Sequence, residues 1–410
     1  MRVLFGVSDY SAHYYPMVPL GWALQAAGHE VRVLCMPSEV GHVNRAGLVP
    51  VPVLGGPDMM ERGRIYYFFA AQQAGGNGPL GMPLHPVTGQ VVASFKDFDW
   101  PRYKRENRDR NVTAVSASMD AAVGFANDWR PDLVVHDVLS LESLLAAQVL
   151  GIPSVCHLWG AIGTDEGESG VNLVPVDHNK DFERHGVGPM SAELVRYVVD
   201  PCPARIAAPS RALRLPVRYL PYNGPGALTG HGLAPADKPR VCVIWGNSLS
   251  GLLGPRSFLV PTILEGLAGL DVEVLVACHP DAVDQVGPLP ANARLLGYTP
   301  LKLLLPSCDL VVYHGGAGCG MTAVCTGTPH LSLPFTPEQT AHANRVASAG
   351  VGIVHNGQTV TPAEVRESTR ELLGGPSYRT AAEELQDEMA QRPTPAALVA
   401  DLEKLTLASG

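Results

Sequence analysis

Short, wholly apolar runs alternate along the chain with longer stretches in which apolar residues recur at helical spacing. Residues 2–7 form the first run and predict a buried strand, followed by a polar loop from Ser8 to Tyr15. From Pro16 to Ala27 the residues Met17, Leu20, Ala23, Leu24 and Ala27 share one helical face, and Gly28 marks the stop. A second run, Val31–Cys35, completes a strand–helix–strand unit, which predicts a parallel sheet. The pattern returns with strands at Asp132–Val135 and Pro153–Leu158 around a helix at Leu141–Leu150 that Gly151 closes.

The second half opens the same way. Val241–Trp245 reads as a strand, Gly246–Gly254 as a Gly/Ser-rich loop, Phe258–Leu267 as a helix and Val272–Ala277 as a strand. Leu310–Tyr313, Pro329–Leu333 and Val351–Val354 are further strands, the first running into a loop at His314–Gly320. Pro221–Pro239 is rich in Gly and Pro, the composition of a linker. The expected fold is therefore α/β, with two doubly wound, Rossmann-like parallel-sheet domains facing across a cleft. Residues 1–220 and 240–410 form the domains and 221–239 the connection; a return of the last helix onto the N-terminal domain is left open. Ligands in such sheets lie beyond the carboxyl ends of the strands. Residues 57–112 break the pattern with an aromatic cluster (Tyr66, Tyr67, Phe68, Phe69), a Gly/Pro stretch from Gly75 to Gly89 and a charged run, Arg102–Arg110. They read as a variable loop region of the N-terminal domain, a functional lid or a mobile loop.

Composition narrows the function classes. The 410 residues are 46% hydrophobic and 17% charged, with 43 Gly and 36 Pro, which suits two buried cores joined by many turns and excludes disorder. A net charge of −9 without a dense Lys/Arg run argues against nucleic acid as the main partner. Asp9 interrupts the first apolar run too early for a signal peptide, and no run is long enough to span a membrane, so a cytoplasmic protein is expected. The eight cysteines form no CxxC pair and read as buried free thiols, not metal ligands.

The strongest local chemistry is His314-Gly315-Gly316-Ala317-Gly318-Cys319-Gly320 at the end of a strand. Small residues leave the backbone N–H groups of a helix start open to an anion, and His314 adds a side-chain donor. A tight turn needing glycine is the plain alternative. The run satisfies neither the dinucleotide GxGxxG pattern nor a Walker loop.

That run, with Gly327-Thr328-Pro329, Pro334, Glu338-Gln339 and Asn344, resembles the donor-binding signature of GT-B glycosyltransferases. It is most similar to the actinobacterial branch that decorates macrolides and other polyketides with nucleotide-activated sugars. His13 with Pro16 and Pro19, the phrase Ala27 to Val33, and Trp129 to Asp137 continue the resemblance over nearly the whole chain. The resemblance implies that His314 and the amides of Gly316, Ala317, Gly318 and Cys319 hold the diphosphate. Ser248 would reach a phosphate oxygen. Tyr298 would lie beside the nucleobase and the Thr299 backbone read its edge, while Glu338 and Gln339 would bind sugar hydroxyls; a solvated helix start also explains the last pair. His13 would be the general base on the acceptor hydroxyl, oriented by Asp137, because an imidazole titrates near neutrality. Asp9 and His136 are neighbours open to either role, and Asp137 becomes the base if the acceptor attacks through carbon. Three positions depart from the family pattern: Cys319 replaces the usual Thr and loses its hydroxyl, His330 replaces Gln, and Glu338 replaces Asp.

The implied activity is inverting, metal-independent transfer of a (deoxy)sugar from a TDP- or UDP-sugar to a small natural-product acceptor. The nucleotide sugar enters as co-substrate and no cofactor is expected. An auxiliary activator protein and a homodimer are left open. Competing readings are a GT-B sugar-nucleotide epimerase, a catalytically silent homologue that binds nucleotide sugar or partners a transferase, and a dinucleotide oxidoreductase.

Overall fold

The computed structural model describes residues 1–167, 171, 174–226, 236–246, 248–296 and 299–408. They form two compact units. The N-terminal unit comprises Met1–Pro57, Trp100–Gly224 and Met389–Gly410, and the C-terminal unit Asp58–Asp99 and Pro225–Glu388.

Seven parallel strands make the N-terminal sheet: β1 (Arg2–Gly6), β2 (Glu30–Leu34), β3 (Val49–Val51), β4 (Leu133–Asp137), β5 (Ser154–His157), β6 (Tyr197–Asp200) and β7 (Leu213–Pro216). Their spatial order is β3-β2-β1-β4-β5-β6-β7. The C-terminal sheet has six: β8 (Arg240–Trp245), β9 (Glu273–Cys278), β10 (Ala293–Leu295), β11 (Leu310–Tyr313), β12 (His330–Ser332) and β13 (Gly352–Val354), ordered β10-β9-β8-β11-β12-β13. Helices cover both faces, so the central strands are buried on both sides; every residue of β4 and β8 is buried. Along β8, Val241, Val243 and Trp245 enter one core while Cys242 and Ile244 enter the core on the opposite face. In each sheet the strands step outward in one direction and then jump back past the first strand. The order therefore reverses once, between β1 and β4 and between β8 and β11.

Most strands inside the sheets were legible because they are largely apolar runs; the interior strand β6 was not anticipated. β3, β7 and β10 carry no such signal, since these edge strands are short and largely half-buried or exposed. Two expected loops are shorter than the sequence suggests. A helix, Ser248–Leu253, occupies most of the Gly246–Gly254 loop, and the helix Ala317–Thr326 begins inside the His314–Gly320 run.

The largest correction concerns residues 57–112. They are not one loop of the N-terminal domain. Helix Met59–Gln73 and the following stretch to Asp99 group with the C-terminal unit, whereas the charged run belongs to a 30-residue helix, Trp100–Trp129, of the N-terminal unit. The aromatic cluster explains the first placement. Phe68 is almost fully buried, with its ring centroid 5.6 Å from Phe95 and 5.2 Å from Phe98. Helix Met59–Gln73 seats on helix Ser248–Leu253. A Cβ on Gly63 would lie 2.5 Å from Leu252 Cδ1, and Arg64 Nη1 donates to the Gly251 carbonyl at 3.3 Å. The charged run is helical in its own right, with an Arg102–Glu106 pair one turn apart at 2.7 Å.

The last helix, Pro395–Ala408, returns to the N-terminal unit and packs on helix Val18–Ala26. Leu398 and Leu402 enter the same core as Leu20 and Leu24, and His29 Nε2 lies 2.9 Å from Glu403 Oε1. Arg392 secures the return by donating to the Asp200 carbonyl at 2.6 Å and the Val217 carbonyl at 3.0 Å. Because Leu402 is fully buried, Leu402→Ala should destabilise the N-terminal unit by about 2–5 kcal/mol. Urea denaturation followed by tryptophan fluorescence measures this.

Candidate active site

In the C-terminal unit the chemistry gathers where the strand order reverses. Trp245 ends β8 and Tyr313 ends β11, and these strands are hydrogen-bonded neighbours. His314 follows directly, its ring 5.7 Å from Trp245 at 76° between planes. Gly315 adopts φ +81°, and a Cβ there would lie 3.1 Å from Pro334 and 3.2 Å from the Gln339 carbonyl. Gly316 has ordinary φ but lies under the His314 ring, where a Cβ would be 2.4 Å from Cε1. The loop thus holds an imidazole against the amino end of the ten-residue helix Ala317–Thr326, whose N-cap Gly316 supplies no side chain. His314 Nδ1 is buried with no hydrogen-bond partner among the described residues, and burial pushes its pKa down to about 4. An unpartnered ring nitrogen beside open helix amides suits an anion.

A second layer lies beneath this loop. His342 is fully buried, its Cε1 only 2.7 Å from where a Cβ on Gly320 would be. His330 is buried with Nδ1 3.2 Å from the Tyr313 hydroxyl. Burial pushes His330 down to about 3 and His342 to about 4, so both are neutral near pH 7. Cys319 is half-buried beside the loop, and burial pushes its thiol up to about 12. Ser248, half-buried, opens the helix after β8 on the neighbouring strand.

The remaining sequence-expected residues are dispersed. Gln339 is buried in helix Pro337–Val346, its Oε1 accepting from the Phe335 amide at 3.1 Å, so its NH₂ is what it chiefly offers a ligand. Glu338 is half-buried in the first turn of that helix. Thr299 is buried just before helix Leu301–Leu304, beyond the edge strand β10; Tyr298 lies outside the described residues. The sequence placed Tyr67 only within the aromatic cluster and not beside this unit's core. Its phenol packs on the C-terminal core and is pushed up to about 12 by burial, with smaller contributions from Tyr66 and the Glu338 carboxylate.

The N-terminal unit repeats the arrangement at its own reversal, between β1 and β4. Asp137 ends β4 fully buried; its Oδ1 accepts from the amides of Leu139 at 2.8 Å and Ser140 at 3.0 Å. Oδ2 accepts from the Ser8 amide at 2.7 Å and the Ser8 hydroxyl at 2.8 Å. Burial pushes the Asp137 carboxyl up, and these four donors oppose it. His13 sits in a short helix, Ser11–Tyr14, with Nδ1 3.3 Å from Ser8 Oγ. Trp159 stacks on its ring at 4.2 Å and 14°, and Tyr10 meets it edge-on at 4.8 Å. Burial pushes His13 down to about 3, which leaves a neutral ring at physiological pH. Asp137 therefore reaches His13 through Ser8. His136 faces the opposite side of β4, with Nδ1 2.8 Å from the Asp137 carbonyl oxygen, which separates it from this chain of contacts.

Family models described as Erythromycin biosynthesis protein CIII-like match residues 104–246 with their N-terminal domain and residues 261–405 with their C-terminal domain. The chain is 31% identical to 10-deoxymethynolide desosaminyltransferase of Streptomyces venezuelae, over 99% of this chain and 97% of that protein. The chain belongs to the EryCIII-like glycosyltransferases. Two solved structures agree. Spinosyn forosaminyltransferase SpnP superimposes with a TM-score of 0.76 at 30% identity, covering 99% of each chain. Spinosyn rhamnosyltransferase SpnG, complexed with thymidine diphosphate, gives 0.74 at 30% identity, over 98% of this chain and 100% of that one. The fold of this glycosyltransferase is thereby GT-B, with its two Rossmann-like domains.

Among the described residues, no three His, Cys, Asp or Glu side chains are grouped as a metal site requires, and no helix is long and apolar enough to cross a membrane. All eight cysteines are free and six of them are buried.

The buried imidazoles give this glycosyltransferase a defined acid response. Unfolded, His330 and His342 take up protons near the ordinary value of 6.5; folded, they resist until about 3 and about 4. The unfolded state thus binds more protons between these values, and stability should fall as pH drops below about 6.5. Replacing His342 with Gln should flatten that dependence by up to about 1.4 kcal/mol per pH unit. Denaturation curves at about pH 5 and about pH 7 provide the comparison.

Proposed function

We propose that this glycosyltransferase transfers a sugar, a deoxysugar in particular, from a TDP-linked donor to a hydroxyl of a natural-product aglycone, with inversion. The cradle at the β8/β11 reversal carries the reading: an unpartnered buried nitrogen of His314 beside open helix amides. A neighbour of the same fold that holds thymidine diphosphate, and a relative that transfers a desosaminyl group to 10-deoxymethynolide, support the choice of donor and acceptor. The nucleotide sugar is a co-substrate. Its diphosphate is met by the amides of Gly316 to Cys319, by His314 and by the Ser248 hydroxyl, without a metal in the proposed mechanism. Preorganised donors of this kind stabilise charge as it develops on the leaving group. Glu338 and the Gln339 NH₂ bind sugar hydroxyls, and the Thr299 backbone reads the base.

His13 is the base. Its neutral ring accepts the acceptor proton while the acceptor oxygen attacks the anomeric carbon and the diphosphate departs from the opposite face. Inversion follows from that single displacement. A base with so low a resting pKa needs its charged form stabilised as the proton arrives, and the buried Asp137 carboxylate does so.

Two variants separate the halves of the reaction. His13→Ala should lower kcat by about 10²–10⁴-fold with TDP affinity retained; wild-type turnover would overturn the assignment of the base. Gly316→Ala drives a methyl into the His314 ring and should weaken TDP binding with little effect on thermal stability. Calorimetry with TDP, UDP and NAD(P), followed by turnover with TDP- and UDP-sugars on a panel of macrolide and anthracycline aglycones, tests the whole reading. Binding of NAD(P) with no nucleoside diphosphate bound would overturn it.

A further inference from the structure

Ser8 has one hydroxyl proton and two partners. It donates to Asp137 Oδ2 at 2.8 Å, and its Oγ lies 3.3 Å from His13 Nδ1. The Asp137 carboxylate is surrounded by donors, with backbone N–H groups of Ser8, Leu139 and Ser140 completing its shell. An acceptor so placed claims the Ser8 proton. The hydroxyl oxygen is then left as an acceptor, and among the described residues the proton it can take across 3.3 Å is one on His13 Nδ1. Neutral imidazole carries one N–H, so a proton on Nδ1 leaves the lone pair on Nε2. Trp159 holds the plane of the ring by stacking at 14°, and the Ser8 contact selects which edge faces inward.

We infer that Ser8 is a positioning residue that links Asp137 to His13, fixes the imidazole proton on Nδ1 and presents Nε2 as the basic atom. The inference rests on the reading of His13 as the acceptor base and names the device that aims it. In the displacement, the acceptor O–H bond breaks and its proton passes to Nε2. The freed electron pair forms the bond to the anomeric carbon, and the carbon–oxygen bond to the diphosphate breaks with its pair leaving on the diphosphate. The positive charge that results on His13 is met by the Nδ1–H···Oγ–H···Oδ2 chain. Ser8 itself passes no proton.

The protein as it stands supplies the first test. In the full-length chain labelled with ¹⁵N-histidine, the His13 signals, assigned by their loss in His13→Gln, should show a protonated Nδ1 and an unprotonated Nε2. A proton on Nε2 would overturn the inference whatever any variant does. Ser8→Ala should lower kcat by about 10- to 100-fold, the effect of one hydrogen bond to a charged group. Its KM for the nucleotide sugar should stay unchanged, and the Nε2-protonated form of His13 should appear. Ser8→Thr, which keeps the hydroxyl, should restore most of kcat and the original tautomer. Wild-type kcat in Ser8→Ala, or a Thr variant as impaired as Ala while folded, would overturn the role. The underlying reading fails separately: wild-type turnover by His13→Ala removes the base, whereas the tautomer measurement judges Ser8 alone.

Discussion

The chemistry of this enzyme depends on a topological constraint. In a parallel sheet all strands end on one side, and right-handed crossovers usually place a helix over the loops that follow. Where strand order reverses, consecutive crossovers leave toward opposite faces, and the loops between them stand open. The protein has two such points, between β1 and β4 and between β8 and β11. Ser8, His13 and Asp137 cluster at the first, His314 and the glycines after it at the second. Strand spacing of about 4.8 Å puts the end of one strand within hydrogen-bond reach of the loop leaving its neighbour. That is how the Asp137 carboxylate captures both the amide and the hydroxyl of Ser8.

The two reversals are equipped differently. In the C-terminal unit the resources are backbone N–H groups and imidazoles that burial keeps neutral. Backbone N–H dipoles of this kind suit an anion. In the N-terminal unit the resource is a buried carboxylate that accepts four hydrogen bonds, with Ser8 between it and the His13 ring. The chain's low charged fraction of 17% accords with both, since each reversal buries only a few polar groups.

Residues 58–99 add a connection that the order of the chain hides. Although they interrupt the N-terminal half of the sequence, helix Met59–Gln73 packs on helix Ser248–Leu253 of the C-terminal unit. Gly63 permits the approach and Arg64 holds it through the Gly251 carbonyl. The same segment packs the half-buried Tyr67 against the C-terminal core, where it feels the charge of Glu338. Changes in this segment therefore bear directly on the unit that carries His314, despite their place in the chain.

Much of the fold was legible in the amino-acid sequence, because apolar periodicity is a property of near neighbours. β11 and helix Leu141–Leu150 begin and end where the pattern places them, and other central strands differ by a residue or two at either end. Short edge strands such as β3 and β10 left no trace, since three half-exposed residues carry too little pattern. The resemblance carried by the His314 run is likewise a matter of near neighbours. What the sequence could not state is which groups meet across strands. Phe68 looks like part of a surface excursion until Phe95 and Phe98 close around it. A serine just past a strand looks like any loop residue. Only strand register and burial bring its oxygen between Asp137 and His13, and hydrogen-bond stoichiometry then decides which nitrogen of the imidazole keeps the proton.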